Sequence, residues 1–399
     1  MRGRLCVLLV FLAVEVVLCQ QKPPVDGKKL DDLIKQVFTP APTDARNNDQ
    51  FRATTVVGQQ PLSCTCVPYY LCQNGTIKTD GEGVIDIRIK EPTCESYLDV
   101  CCQAEPLDTP IPPPPQPARV GCGRRNPDGV GFRITGDLDG ESQFGEFPWM
   151  VAVLKDEFVK QNEPPVKLYQ CGGALIHPQV VMTAAHCVAG KDVASLKIRA
   201  GEWDTQTKNE LFPHQDRNVI DLLIHPEYYA GALYNDVALL KLDAPVDQAD
   251  NVDVVCLPEQ GQIFDLKRCF ASGWGKNVFG KEGQYQVILK KVELPVVPRQ
   301  QCLQALRQTR LGQHFRLHNS FLCAGGEPGK DTCKGDGGSP LVCPLPNRPG
   351  HYAQAGIVAW GIGCGENGTP GVYANVAVFR QWIDQQMRNM NLDPGVYHF

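Results

Sequence analysis

Short apolar runs separated by Gly, Pro and Asn dominate the chain from Cys122 onward. The runs ALIHPQVVMTAAHC, LKIRAG, VIDLLIHP, DVALLKL and AGIVAWG are rich in β-branched residues and too short to read as long helices. They predict an all-β barrel domain. The period changes near the C-terminus, where Val376, Phe379, Ile383, Met387 and Met390 fall on one face of a helix that would pack on that domain. Another helical period occurs in LDDLIKQVF, with Leu30, Leu33, Ile34, Val37 and Phe38 on one face. Alone it is too short to be stable, so it reads either as a loose leader with a sticky face or as a helix docked on the body. Between these regions AEPLDTPIPPPPQPARV favours an extended polyproline spacer and marks a domain boundary.

The first residues, MRGRLCVLLVFLAVEVVLCQQ, place two arginines before an apolar run, then Val17 and Cys19 before a cut near Gln20. This predicts a secretory signal peptide. Glu15 interrupts the run, which is short for the ~20 apolar residues of a membrane span. No later stretch is long or apolar enough to cross a bilayer, so no membrane association is expected. Of the 18 cysteines, Cys6 and Cys19 leave with the signal, and the even remainder falls into two groups. That parity predicts disulfides and an oxidising, extracellular location. Cys64, Cys66, Cys72, Cys94, Cys101 and Cys102 crowd a segment with few large apolar residues. A core this small needs staples, each contributing about 2–4 kcal/mol. The cysteine count alone leaves the pairing open. The chain therefore divides into a signal peptide (1–19), an N-terminal extension (20–60), a disulfide-rich module (61–103), a Pro-rich linker (104–121) and a large β domain (122–399). A net charge of −5 without a long basic run gives no reason to expect nucleic-acid binding.

Three motifs carry chemistry: TAAHC at 183–187, NDVALL at 235–240 and DTCKGDGGSP at 331–340. Together with GEFPWMVAV, CGGALI, CLP, SGWG and GVYANV they resemble, from about Ile134 to Met390, the chymotrypsin/trypsin family of serine proteases. The resemblance implies a double β-barrel with a C-terminal helix. In that chemistry a serine attacks a carbonyl, a histidine takes its proton and an aspartate orients the histidine. The family motifs assign His186 as the base and Asp236 as the orienting carboxylate. The family loop reads GDSGGP where this chain reads GDGGSP, so Gly337 stands at the nucleophile position. Ser339 lies two residues on, up to ~7 Å along an extended chain, whereas a base must approach its nucleophile to ~2.6–3.2 Å. A catalytically dead protease is expected. Gly335 and Gly337 can still aim backbone N–H groups at an oxyanion. Asp331, flanked by Gly361 and Gly371, matches a trypsin-like pocket for Arg or Lys, although Ala359 replaces a usual serine. The His186 and Asp236 pair also has a plainer reading, as a buried hydrogen bond kept for packing.

In family members, activation frees an amine that pairs with the aspartate here numbered Asp336. The matching stretch GFRITGD offers a cut between Arg133 and Ile134 but departs from the usual R-[IV]-V-G-G. The resemblance also pairs Cys171 with Cys187, Cys269 with Cys343, Cys302 with Cys323, Cys333 with Cys364, and Cys122 with Cys256.

The N-terminal cysteine module, ending in an adjacent pair, resembles the clip domain of arthropod haemolymph proteases, which implies Cys64–Cys101, Cys66–Cys94 and Cys72–Cys102. Clip and serine-less protease domain together resemble the clip-domain serine protease homologues, cofactors of prophenoloxidase activation in melanisation. The expected partners are prophenoloxidase and its activating protease, in haemolymph. GEGVIDIRIKEPTC carries Arg88, either an ordinary surface arginine or a cleavage point for an upstream trypsin-like protease; cleavage would expose the VIDI edge and favour oligomers. Two rival functions stand beside this reading: a residually active protease, and a pattern-recognition protein for microbial surfaces. Sequons at Asn74 and Asn367 predict glycosylation, the second beside the pocket rim. In GEWDTQTKNEL, Glu202, Asp204, Thr207 and Glu210 offer oxygens to Ca²⁺, or form an ordinary polar loop.

Overall fold

The computed structural model describes residues 5–11, 14–20, 64–68, 71–73, 76–77, 83–86, 94, 99–102, 121–135, 140–157, 165–206, 210–275, 285–330, 332, 336–363 and 368–399. The first two strands, β1 (Leu5–Phe11) and β2 (Val14–Gln20), form an antiparallel hairpin of their own. The spans expected to hold the N-terminal extension and the Pro-rich linker lie outside the described residues, apart from Gln20 and Gly121.

The clip module is a set of short strands: β3 (Thr65–Pro68), β4 (Cys72–Gln73), β5 (Thr76–Ile77), β6 (Gly83–Asp86) and β7 (Asp99–Cys102). β3 pairs antiparallel with β7, and β4 with β5. Bonds join Cys64 to Cys101, Cys66 to Cys94 and Cys72 to Cys102. β6 leaves the module and pairs in parallel with β8 (Phe132–Thr135), at the threshold of the large domain.

The large domain holds two closed six-stranded barrels. The first is built from β9 (Met150–Glu157), β10 (Val166–His177), β11 (Val180–Thr183), β12 (Leu196–Ala200), β13 (Gln215–Ile224) and β14 (Ala238–Leu242). The second comprises β15 (Arg268–Gly273), β16 (Lys290–Val297), β17 (Phe321–Gly325), β18 (Pro340–Pro344), β19 (Tyr352–Trp360) and β20 (Pro370–Asn375). Closure removes the sheet edges that a chain of so many short strands would otherwise expose. Along β12, Leu196, Ile198 and Ala200 are buried while the residues between them are not, the two-residue period of a strand with one face inward. β11 is buried throughout, which explains why VVMT is a continuous apolar run. The run ALIHPQVVMTAAHC resolves into the end of β10, a turn, β11, and a short helix α1 (Ala185–Val188) that carries His186.

Helix α2 (Arg299–Arg307) has no counterpart in the sequence reading, because only Cys302 and Leu306 are buried along it and the apolar period is too sparse to detect. The C-terminal helix α3 (Val376–Asn389) buries Val376, Phe379, Ile383 and Met387 as expected. It also buries Arg380, 3% exposed, which donates to the carbonyls of Leu257 and Pro258 and to Asp384. A charge inside is tolerated because each part of its fork finds an oxygen or nitrogen. Four further disulfides join Cys122 to Cys256, Cys171 to Cys187, Cys269 to Cys343 and Cys302 to Cys323. The Cys122 bond ties the segment before the barrels to the strand-free stretch between them. The expected Cys333–Cys364 pair lies outside the described residues.

Candidate active site

β11 ends at Thr183 and the chain turns at once into α1, so His186 is delivered to the seam beside β10. Asp236 precedes β14, after Leu233 and Asn235, both with positive φ (56° and 54°). Non-glycine residues seldom accept that conformation, and such strain concentrates where position matters. Asp236 is wholly buried. Its Oδ1 accepts the His186 backbone N–H at 2.8 Å, and its Oδ2 lies 2.6 Å from the ring Nδ1. An ionised carboxylate only accepts, so Nδ1 donates the hydrogen bond, and in the neutral ring Nε2 keeps the lone pair.

That lone pair faces Gly337. A Cβ built on Gly337 would lie 2.9 Å from His186 Nε2 and 3.7 Å from Cys171 Sγ. The next residue, Gly338, has φ +79°, and a Cβ there would meet Thr183 Oγ1 at 2.3 Å and the Gly172 carbonyl oxygen at 2.5 Å. Only glycine fits at 338. Ser339 is fully buried, and its Oγ is the atom that a Cβ on Gly172 would strike at 2.0 Å and one on Gly273 at 3.1 Å. It is wedged between a strand of each barrel, closed to any substrate carbonyl. Asp336 accepts the Gly275 N–H at 2.9 Å. Burial, then the negative charge of Asp336, pushes the phenols of Tyr169 and Tyr285 up, so both stay neutral beside it. Neither tyrosine has a sequence signal; both are placed by packing, edge to face with centroids 5.9 Å apart. Ile134 is held in β8 opposite Ile85 of β6.

Of the pocket residues, Gly361 follows β19 and a Cβ there would find only the Gly363 carbonyl, at 3.8 Å. Gly371 lies in β20, opposite Ala324 of β17. Ala359 is buried with Cys302, Phe321 and Val372, and Trp360 meets Phe315 and Phe321 edge-on at 6.2 and 5.9 Å. Asp331, Gly335, Arg88, Thr207, Asn74 and Asn367 lie outside the described residues.

The acidic loop after β12 brings Glu202, Glu210 and His214 together, with one ligand atom of each within 4.8 Å of the others. Glu210 Oε1 accepts the N–H groups of Trp203 and Asp204 at 3.1 and 2.8 Å. Asp204 instead folds back on its own loop, accepting the Gln206 N–H at 2.9 Å. Burial pushes the Glu202 carboxyl up to about 7, against the pull of Arg199 at 2.9 Å. Burial and the neighbouring Glu202 also raise Glu210 well above the usual carboxylate range. Glu202 Oε1 is buried with no hydrogen-bond partner among the described residues. Carboxylates so reluctant to ionise, with an oxygen to spare, suit a hard cation; the Arg199 guanidinium already meets part of that need. His214 was missed by sequence reasoning, although it stands four residues after Glu210.

A His and Asp pair at the seam of two six-stranded barrels, facing a glycine-rich loop, is the setting of a serine protease site. The family model described as Trypsin matches residues 139–383, and the model described as Serine protease Clip domain PPAF-2 matches residues 53–103. The chain belongs to the clip-domain branch of the trypsin family. Within it, this clip-domain homologue is 58% identical over 301 residues to phenoloxidase-activating factor 2 of Galleria mellonella, covering 74% of this chain and 99% of that protein. It is 40% identical over 325 residues to the inactive CLIP domain-containing serine protease A8 of Anopheles gambiae, covering 80% and 87% of the two chains. It is also 31% identical over 347 residues to phenoloxidase-activating factor 1 of Holotrichia diomphalia, covering 81% and 90%. The double barrel and the stapled clip expected from the motifs are both present. No helix among the described residues is long and apolar enough to cross a membrane.

Proposed function

We propose that this chain is a secreted, non-catalytic cofactor of prophenoloxidase activation, switched by a trypsin-like protease that cuts it. The observation that carries the reading is that His186 Nε2 faces Gly337, which has no side chain, at a distance where even a Cβ would lie only 2.9 Å away. A base is held in the right tautomer, but no hydroxyl stands before it, and the one serine in the loop is buried behind the site. Relatives named as phenoloxidase-activating factors and as inactive clip-domain proteases support the same assignment. With bond-breaking removed, the barrel surface serves to bind, the partners being prophenoloxidase and its activating protease, and the clip to regulate. Reconstitution tests this. With purified prophenoloxidase and its protease, phenoloxidase activity should rise several-fold when the cleaved protein is added and barely change with an Arg88→Ala form. No change with either protein would refute the cofactor role.

The acidic loop is read as a Ca²⁺ site, Glu202 and Glu210 supplying carboxylate oxygens. Calcium at about ten times its Kd should raise Tm by about 2–4 °C. Glu210→Gln keeps an oxygen for the Trp203 and Asp204 N–H groups but loses the charge, so the shift should disappear. An equal rise in both proteins would remove the site.

A further inference from the structure

The pairing of β6 with β8 links the segment that precedes Arg88 in the sequence to the segment that contains the Arg133–Ile134 bond, the two candidate cleavage points. In the parallel ladder Val84 stands opposite Arg133 and Ile85 opposite Ile134. The Arg133–Ile134 bond therefore lies inside a strand covered on one edge. A protease grips the residues on both sides of its scissile bond as a free extended segment within a cleft. A neighbouring strand must leave before that grip is possible. β6 stops at Asp86, and Arg88 follows two residues later in the sequence, outside the described residues.

A two-stranded sheet with four-residue strands is marginal in water. What keeps this one together is its attachment. β8 follows a segment pinned to the large domain by the Cys122–Cys256 bond and by the Val130 N–H to the Phe144 carbonyl at 2.9 Å. β6 is held from both sides, because the arc that contains it runs from Cys72, bonded to Cys102, to Cys94, bonded to Cys66. A cut after Arg88 opens that arc between β6 and Cys94. β6 then sits near a loose end anchored at Cys72 alone, and the loop closure that presented it to β8 is lost. Gripping the residues before Arg88 also draws Ile85 and Asp86 off β8.

The geometry points to β6 as a latch over the Arg133–Ile134 bond, so that cleavage after Arg88 comes first and licenses cleavage after Arg133. This deepens the proteolytic switch proposed above. Its readout is the order of two cuts, which stands or falls independently of any phenoloxidase response.

The experiment is a time course with an arginine-specific trypsin-like protease on the full chain, following the new N-termini Ile89 and Ile134 by mass spectrometry. In the unaltered protein Ile89 should appear first and Ile134 after a lag. Arg88→Gln should slow the appearance of Ile134 by about tenfold, the scale of a modest local opening equilibrium. Adding Ile85→Pro, which breaks the ladder in a sheet outside both barrels, should restore the rate in the Arg88→Gln background. The latch is overturned if Ile134 forms first or at the same rate in Arg88→Gln. It is equally overturned if the proline fails to restore cleavage, or if Ile134 never forms.

Discussion

Purified protein, cut or uncut, is expected to hydrolyse an arginyl ester at no more than about one-millionth the rate of a trypsin-like enzyme, the loss measured when such a nucleophile is removed. It should take no label from a serine-directed phosphonylating reagent. The sharper expectation concerns Gly337→Ser. The added Cβ would lie 2.9 Å from His186 Nε2, closer than carbon and nitrogen normally sit. His186 is tied to Asp236 through both its backbone N–H and its ring. The ring yields only by turning away from the carboxylate that sets its tautomer, and losing that function costs about 10⁴ in turnover. Ile134 is moreover held in β8 while Asp336 is engaged by Gly275. The variant should label slowly and turn over about a thousandfold or more below an ordinary family member. Hydrolysis by the unaltered protein that disappears in His186→Ala would overturn the non-catalytic assignment. A Gly337→Ser form of full activity would show that His186 readily makes room for the added side chain.

Asp236→Ala should lower the unfolding free energy by about 2–4 kcal/mol although no catalysis depends on it. The carboxylate is completely buried and accepts two hydrogen bonds from His186. Truncation leaves the backbone N–H of α1 facing a cavity, and an unmade buried hydrogen bond costs more than a made one contributes. Removing a buried charge offsets part of the loss. Denaturant unfolding of the two proteins measures the difference. A large loss would assign the dyad to holding α1 against the segment before β14. A change within about 0.5 kcal/mol, the scale of a neutral surface substitution, would leave it without structural purpose.

Some of this site is legible before any folding is considered. TAAHC, NDVALL and DGGSP each mark a residue type at a fixed place in a motif, and Gly337 shows its missing oxygen in the sequence itself. Ser339, two residues along the chain from position 337, is also kept from the base in space, because its hydroxyl is sealed between β10 and β15. Other parts have no local signature. His214 meets Glu202 and Glu210 where β13 pairs back on β12, with Ala200 opposite Gln215. Arg380 falls by its spacing on the apolar face of α3, but the carbonyls of Leu257 and Pro258 that accept from it come from a distant part of the chain.

The sequence by itself determined the residue types at the site, the even set of cysteines and the periods of strand and helix, because these are properties of neighbours along the chain. Tertiary structure decided which atoms meet: the close approach of Gly337 to His186, the burial of Ser339, and the pairing of a clip strand with the segment around Arg133. A period of two or of 3.6 says which face of an element is buried. It does not say against what, since partners far apart in sequence are chosen by packing and by disulfide tethers acting on the whole chain.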